Sequence, residues 1–186
     1  MTERIQIIDT CVLINLLASG ETEKILHCAA NKSLICSAVE AESLFLRSDD
    51  PQNPREIIQI APLIESNLLT TCRIETAEED ELYVNYAAAL DDGEAMSIAL
   101  ALARGGRLAT DDRKARRLFM EAVSDPERLI STSELVRRWF ETEKVSPEGQ
   151  EVTLRRIEFR AGYQPSPSDS DFNWWMRSSR KQAPDK

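Results

Sequence analysis

The sequence lacks any long apolar segment. Its 186 residues contain no apolar run that approaches the roughly 20 residues needed for a membrane-spanning helix. The first residues lead directly into a short apolar stretch that ends at Asp9, whereas a secretory signal needs a longer apolar core and a small-residue cleavage site. We therefore expect a cytoplasmic protein that has no membrane partner.

Cysteine and histidine are both scarce. The four cysteines form no CxxC pair, and His27 is the only histidine. This spacing argues against a zinc site, and a cytoplasmic location argues against a framework of disulfides. We expect most of the thiols to be small buried side chains of the core.

Positive charge is also in short supply. Lysine and arginine together number 23 against 32 acidic residues, which gives a formal charge of −9. A chain with this charge is a poor candidate for a protein that binds nucleic acid through bulk positive charge. The excess of acid is compatible with an enzyme that holds phosphate groups through bound cations, because carboxylates that bind metal add to the negative total.

What the sequence does contain is an alternation of short apolar runs with segments of helical spacing. We predict buried parallel strands at 5–8, 34–36, 107–110 and 128–130, with a weaker one near 72–74. Helices are expected at 12–18, 21–29, 38–47, 55–69, 78–90, 94–104, 113–123 and 133–143. This order predicts an α/β protein with a parallel sheet covered on both faces, whose functional crevice lies beyond the carboxyl ends of the strands.

The last part of the chain has a different composition. A short helix is expected from Ser146 to about Phe159, and from Gln164 onward proline, serine and aspartate make the chain too polar to form a core. The predicted organisation is a domain at 1–163, divided into a core at 4–145 and a helical extension at 146–163, and then a polar, flexible tail at 164–186.

The first two predicted strands are each followed by acidic residues. Asp9 comes directly after the first strand, where it either lies over the crevice or caps the next helix. After the second strand, Ser37 and Glu40 have the spacing of a capping box, whereas Glu42 has no such structural explanation. We therefore prefer Glu42 to Glu40 as a functional acid that projects back from the helix toward the crevice.

Two further acidic clusters lie at predicted helix starts. Glu94 either closes a capping box with Asp91 or acts as a rigidly held carboxylate in the first turn of a helix with a small apolar face. Asp111 and Asp112 end a predicted strand, and the same choice between capping and function applies to them. The coincidence of these acids around one crevice favours function.

A group of carboxylates suggests a particular chemistry. Carboxylates that lie close together repel one another and stay ionised only when a cation lies between them. Oxygen ligands without cysteine or histidine suit Mg²⁺ or Mn²⁺, and such an ion lowers the pKa of a bound water that can attack phosphorus. A haloacid-dehalogenase-type phosphatase is disfavoured, because Cys11 stands where its second aspartate would be needed.

Four motifs, in this order along the chain, resemble the PIN-domain family. They are residues 7–14, 37–42, 92–101 and 108–116. The third is similar to the D-x-G-E signature of a prokaryotic PIN subgroup related to VapC-type toxins. The resemblance covers roughly residues 4–145 and implies a three-layer α/β/α sandwich with a central parallel sheet.

The resemblance also implies a site and an activity. Asp9, Glu42, Glu94 and Asp112 match the catalytic, metal-binding acids of the family; Asp111 is an expected extra ligand, and Thr10 and Thr110 match small polar positions near the metal. The implied activity is a Mg²⁺- or Mn²⁺-dependent endoribonuclease that hydrolyses RNA, with the toxin of a toxin–antitoxin pair as one specific form. The alternative is a non-catalytic PIN-like module that binds RNA or a protein partner. An antitoxin or other protein partner and a homodimer are the further expectations.

Basic and aromatic side chains are each concentrated in one place. We predict that Arg113, Lys114, Arg116 and Arg117 contact nucleic acid beside the metal site, the alternative being a solvated helix face. The pair Trp174–Trp175 lies in the predicted tail, where it either marks a contact site or folds back on the domain.

Overall fold

The fold is built on short strands. The computed structural model describes residues 5–29 and 32–180. Its strands are β1 (Ile5–Ile8), β2 (Lys32–Cys36), β3 (Leu44–Arg47), β4 (Arg55–Ile58), β5 (Thr70–Cys72), β6 (Arg107–Ala109) and β7 (Leu129–Ile130). The central sheet has the strand order β5-β2-β1-β6-β7, and every neighbouring pair in it is parallel.

Helices connect these strands. They are α1 (Thr10–Ser19), α2 (Thr22–Ala29), α3 (Ser37–Ala41), α4 (Ala61–Glu65), α5 (Ala77–Ala87), α6 (Asp92–Ala103), α7 (Arg113–Ala122), α8 (Thr132–Glu143), α9 (Pro147–Arg160) and α10 (Phe172–Ser178). In the part of the chain that the structure describes, none of them is long and apolar enough to cross a membrane.

The helices form two layers around the sheet. Contacts link α5, α6 and α7 in one layer and α1, α2, α8, α9 and α10 in the other. The side chains of β1, β2 and β6 between them are buried after the first residue of each strand, which accounts for the apolar character of these runs. The predicted three-layer α/β/α fold is confirmed. Among the described residues all four cysteines are free, and Cys36 and Cys72 are buried.

The sheet has a switch point between β1 and β6. The chain runs from β1 to β2 on one side and later returns to β6 on the other side of β1, so the connections at this point diverge. Ile8 of β1 pairs with Ala109 of β6, and Asp9 and Thr110 therefore leave the sheet side by side. In open parallel sheets the binding crevice lies outside the carboxyl ends of the strands at such a point.

The predicted helices at 38–47 and 55–69 are wrong in large part. The first ends at Ala41, and β3 then pairs with β4 in an antiparallel hairpin. Leu44 and Leu46 are buried while Phe45 and Arg47 are exposed, which is the period of two expected for a strand. The segment 48–54 contains two prolines and several Asp and Asn residues, a composition typical of a hairpin connection.

The prediction of a polar tail from residue 164 misses a helix. The helix α10 packs against α9, and the Trp175 side chain is fully buried. Its indole N–H donates to Glu158 Oε1 at 2.8 Å, and its ring meets that of Tyr163 edge to face at 5.4 Å. A large aromatic residue can thus dock a polar segment on the domain. The end of the predicted tail, residues 181–186, lies outside the described residues.

Candidate metal centre

Three aspartates at the crevice are helix N-caps. Asp9 precedes α1, Asp91 precedes α6 and Asp112 precedes α7. In each case Oδ1 accepts a backbone N–H of the first turn, at 2.8–2.9 Å. The capping bonds use Oδ1 and leave Oδ2 for other partners, so capping and metal binding are compatible roles for these side chains.

Glu42 reaches the crevice from a different position than predicted. It is the residue that ends α3, in an extended conformation, with its N–H bonded to the Val39 carbonyl. The predicted capping box of Ser37 and Glu40 is wrong, because α3 has no side-chain cap and the Ser37 hydroxyl contacts the Met96 sulfur at 3.7 Å. The reason for preferring Glu42 to Glu40 was therefore incorrect, and Glu42 is distinguished instead by its place beside α6.

The first turn of α6 accommodates Glu42 because it contains Gly93. A Cβ atom added to Gly93 would lie 2.7 Å from Glu42 Oε1 and 3.6 Å from Asp91 Oδ1. Gly93 is buried and helical, so no left-handed conformation requires glycine there. The absence of a side chain at this position makes room for the Glu42 carboxylate. This explains why glycine stands here, although glycine lowers the stability of a helix.

The pKa values show that five carboxylates share this crevice. Burial raises the pKa of Glu94 to about 7, and repulsion from Asp112, Asp91 and Asp9 adds to that rise. Burial and the charges of Asp91 and Asp9 also raise the pKa of Glu42. The pKa of Asp9 is raised by burial, against the effect of its hydrogen bonds. Carboxylates perturb one another in this way only when they are close together.

Asp91 is a member of this group that the sequence reasoning did not choose. Asp91 is the N-cap of α6, as the sequence predicts. It also raises the pKa values of Asp9, Glu42 and Glu94, which places its charge at the crevice. The signal was present, since Asp91, one residue before the motif at 92–101, has the D-x-G-E spacing with Gly93 and Glu94.

Hydrogen bonds hold Asp9 in place. Thr110 Oγ1 donates to Asp9 Oδ2 at 2.8 Å and accepts the Asp112 N–H at 3.2 Å, so one hydroxyl joins two acids. Cys11 Sγ donates to the same Asp9 oxygen at 3.1 Å. Burial and the charges of Asp9 and Asp111 raise the pKa of the Cys11 thiol, which therefore stays protonated and remains a donor.

Thr10 is the other predicted polar neighbour of the metal. Its hydroxyl is buried, and it has no partner with hydrogen-bond geometry among the described residues. It nevertheless lies close enough to Glu42 to lower the pKa of that carboxyl. A buried hydroxyl without a partner indicates room for a water molecule or another ligand at this point.

Asp111 is the predicted extra ligand, and in the structure its carboxylate accepts four hydrogen bonds from protein donors. Its Oδ1 accepts the Thr132 N–H at 3.0 Å and the Tyr163 hydroxyl at 3.3 Å. Its Oδ2 accepts the Asn15 side-chain N–H at 3.0 Å and the Thr132 hydroxyl. Both oxygens are thus engaged by α1, α8 and the segment after α9, in what we call the anchor network.

The four predicted nucleic-acid contacts have different surroundings. Arg113 Nη2 donates to Ser166 Oγ at 3.1 Å, and Arg116 Nη1 donates to the Thr110 carbonyl at 2.9 Å. The Lys114 ammonium donates to the Ala89 carbonyl, so it joins α7 to the end of α5. Arg117 is exposed and lies 3.8 Å from Glu121 on its own helix. Arg113 and Arg116 line a cavity beside Asp111.

The donor set of the crevice fits a hard cation. It consists of carboxylate oxygens and a buried hydroxyl, which are the ligands that Mg²⁺ and Mn²⁺ prefer. Within residues 5–29 and 32–180, no group of three or more His, Cys, Asp or Glu side chains is placed so that it could hold a metal ion. Mg²⁺ is usually held by one or two carboxylates together with water and substrate phosphates, and an open arrangement suits that mode of binding.

Comparison with known proteins identifies the family. No curated protein and no solved structure gives a significant match to the chain. A family model described as PIN domain matches residues 5–122, which is more than half of the sequence and includes every acid of the crevice. PIN domains are generally nucleases and usually use divalent metal ions. The chain therefore belongs to the PIN-domain family.

Proposed function

We propose that this PIN domain is a metal-dependent endoribonuclease that hydrolyses phosphodiester bonds in RNA with Mg²⁺ or Mn²⁺. The observation that supports this most is the convergence of five carboxylates from four chain segments, with the pKa of Glu94 raised to about 7. Such crowding of like charges is unfavourable by itself and is relieved by a cation.

The ligands in this proposal are Asp9, Glu42, Glu94 and Asp112, with Asp91 added on structural grounds. A bound cation would act as a Lewis acid on the phosphate and lower the pKa of the attacking water. The capping bonds hold Asp9, Asp91 and Asp112 against rigid helix ends, and Thr110 couples Asp9 to Asp112. Ligands fixed in advance bind an ion without first having to be ordered.

Several sequence-based expectations stay predictions at this point. They are the toxin role, an antitoxin or other protein partner, a homodimer and a cytoplasmic location. The non-catalytic PIN-like module also stays as the alternative, and the experiment that follows decides between it and the nuclease.

A circular single-stranded RNA provides the test, because only an endonuclease can open it. The purified protein is incubated with the circle and Mn²⁺, beside the variants Asp9→Asn and Glu42→Gln. Glu40→Gln is the matched control, since Glu40 is exposed, lies two residues from Glu42 and loses the same charge. We expect wild type and Glu40→Gln to open the circle equally, and the other two to be roughly a hundredfold slower or worse.

Three results would count against the proposal. Equal cleavage by wild type and Asp9→Asn would show that the activity does not come from this crevice. Cleavage that persists in EDTA would exclude the role of the metal. Binding of RNA without cleavage in either Mg²⁺ or Mn²⁺ would favour the non-catalytic module.

A further inference from the structure

The helix α9 has an exposed stripe in which arginines alternate with apolar side chains. Its members are spaced three and four residues apart and therefore share one face of the helix: Val152, Arg155, Arg156, Phe159 and Arg160. The opposite face packs into the core through Leu154 and Ile157. Val152 and Phe159 are 51% and 47% exposed, so this outer face is not part of the core.

The stripe forms one wall of a groove. Residues from the end of β3 and from β4, including Arg47 and Glu56, form the other wall, and the groove has a volume of about 820 Å³. A second groove of about 510 Å³ shares Arg47, Arg155 and Phe159 with the first and extends toward Arg180. Every cationic residue that lines the two grooves is an arginine. We call them together the arginine groove.

The positive charge of this groove is only partly neutralised. Arg160 pairs with Glu56, and Arg155 pairs with Glu151 at 3.2 Å. Arg47 and Arg156 are exposed, and neither has a carboxylate within 4.0 Å in the described part of the chain. Three acids, Asp49, Glu56 and Glu158, also line the grooves, so the five lining arginines remain in excess. This positive region is a local feature that the formal charge of −9 conceals.

The arginine groove shares a lining residue with a third cavity, which lies near the start of α7. Gln164 lines the arginine groove and also borders a third cavity, of about 500 Å³, which lies beside Asp111. Arg113 and Arg116 line that third cavity, and both lie in the first turn of α7, which begins directly after Asp112. The arginine groove and this third cavity are therefore neighbours, and arginines line both of them.

We propose that the arginine groove binds the single-stranded RNA that flanks the scissile phosphate, with Arg47 and Arg156 on phosphates and Phe159 stacked on a base. The identity of this RNA as the substrate rests on the proposed nuclease function. A guanidinium matches phosphate oxygens in two-pronged geometry. A basic groove with an exposed aromatic ring is the arrangement that binds single strands, whose base faces are free for stacking.

The groove is a feature of this chain beyond the family core. The helix α9 and the residues after it lie outside the matched segment 5–122, which contributes only the hairpin wall. The crevice that holds the metal and the groove that holds the flanking RNA are thus built mainly from different parts of the sequence. The groove would select RNA that is unpaired on one side of the cleavage position.

Binding measurements on the full-length chain test this assignment. The Asp9→Asn substitution is used as the background, so that RNA is not cleaved during the measurement. This protein is titrated with fluorescein-labelled single-stranded RNA at several salt concentrations, and fluorescence anisotropy gives Kd. Phe159→Ala is expected to weaken binding about tenfold with little change in salt dependence, since it removes stacking. Phe159→Leu should weaken it similarly, because it keeps apolar contact but not the ring.

The charge contribution has its own readout. Arg156→Gln should reduce the slope of log K against log salt by about 0.7, the value expected for one lost phosphate contact on a single strand. The matched control is Arg73→Gln, which removes the same charge from an exposed arginine that lines neither groove. This control should leave both the affinity and the slope unchanged, and thermal melts check that every variant is folded.

The outcomes separate this inference from the nuclease proposal. If the protein cuts RNA but the groove variants bind and cleave it as well as Arg73→Gln does, the groove proposal is wrong and the nuclease proposal stands. If the protein cuts no RNA but binds it in a way that depends on the groove residues, the groove proposal stands and the nuclease proposal is wrong. Binding of a labelled glutamate-rich peptide that depends on the groove, without RNA binding, would show that the groove takes an acidic protein segment instead.

Discussion

The crevice and the anchor network each contain an aspartate from the end of β6, and the two side chains have different environments. Asp112 caps α7 with one oxygen and lies close enough to Glu94 to raise its pKa. Asp111, the preceding residue, gives both oxygens to donors from Asn15, Thr132 and Tyr163. The two residues are adjacent in sequence, but Asp112 lies among other acids whereas Asp111 is surrounded by hydrogen-bond donors.

The difference shows what makes a carboxylate available to a metal ion. A carboxylate whose lone pairs are taken by protein donors stabilises the elements that supply those donors. One that keeps at least one lone pair free and has acids for neighbours is stabilised by a cation. An acidic residue at the end of a strand is therefore only a candidate ligand, and its hydrogen-bond partners decide its role.

Removing Asp111 should have the largest effect on stability. Asp111→Ala is expected to lower the free energy of unfolding by about 2–4 kcal/mol, because donors on α1, on α8 and at Tyr163 lose their acceptor. Asp112→Asn is the matched control and should change it by less than about 0.5 kcal/mol, since asparagine also caps helices. Urea denaturation of both variants measures this, and equal losses would contradict the distinction between the two aspartates.

A methyl group at Gly93 should affect the crevice and not the fold. Gly93→Ala is expected to slow RNA cleavage about tenfold, because its Cβ would lie 2.7 Å from Glu42 Oε1 and displace that carboxylate. The melting temperature should stay equal or rise, since alanine favours helix over glycine by up to about 1 kcal/mol.

Gly149→Ala is the matched control, because Gly149 is also in the first turn of a helix but meets the Val145 side chain instead of an acid. It should leave cleavage unchanged. Full activity of Gly93→Ala would mean that the position of Glu42 does not matter to the reaction.

The crowding of acids in the crevice should also have a small effect on how stability depends on pH. The folded-state pKa of Glu94 is raised from 4.5 to about 7, so the folded protein holds this proton more tightly than the unfolded chain. The resulting stabilisation is complete below about 4.5 and is lost as pH rises through about 7. In EDTA the melting temperature should therefore fall by a few degrees over this range.

Two additions make the pH measurement specific to the crevice. Mn²⁺ should reverse the fall, because the cation favours the ionised acids, and Glu94→Gln should flatten the profile in EDTA. A melting temperature that rises with pH through this range without metal would contradict the crowding of the carboxylates.

Parts of the fold could be predicted because their signals are local. The buried runs around Ile7 and Leu108 indicate strands, and acids at their carboxyl ends, such as Asp9, lie at the crevice in any parallel sheet. The hairpin was missed because Ile57, Ile60 and Ile64 have helical spacing, although β4 pairs with β3. The tail was misjudged because one buried residue, Trp175, docks a segment whose composition is polar.

The sequence by itself determined the α/β class, the strand ends and four of the five acids at the crevice, since each depends on residues within a few positions. Only the tertiary structure decided that Asp91 joins the acids, that Asp111 serves the anchor network and that α9 faces the hairpin across a groove. The physical reason is distance along the chain. Thr110 and Asp9 are 101 residues apart in sequence yet share a hydrogen bond, and a carboxylate's role is determined by such partners.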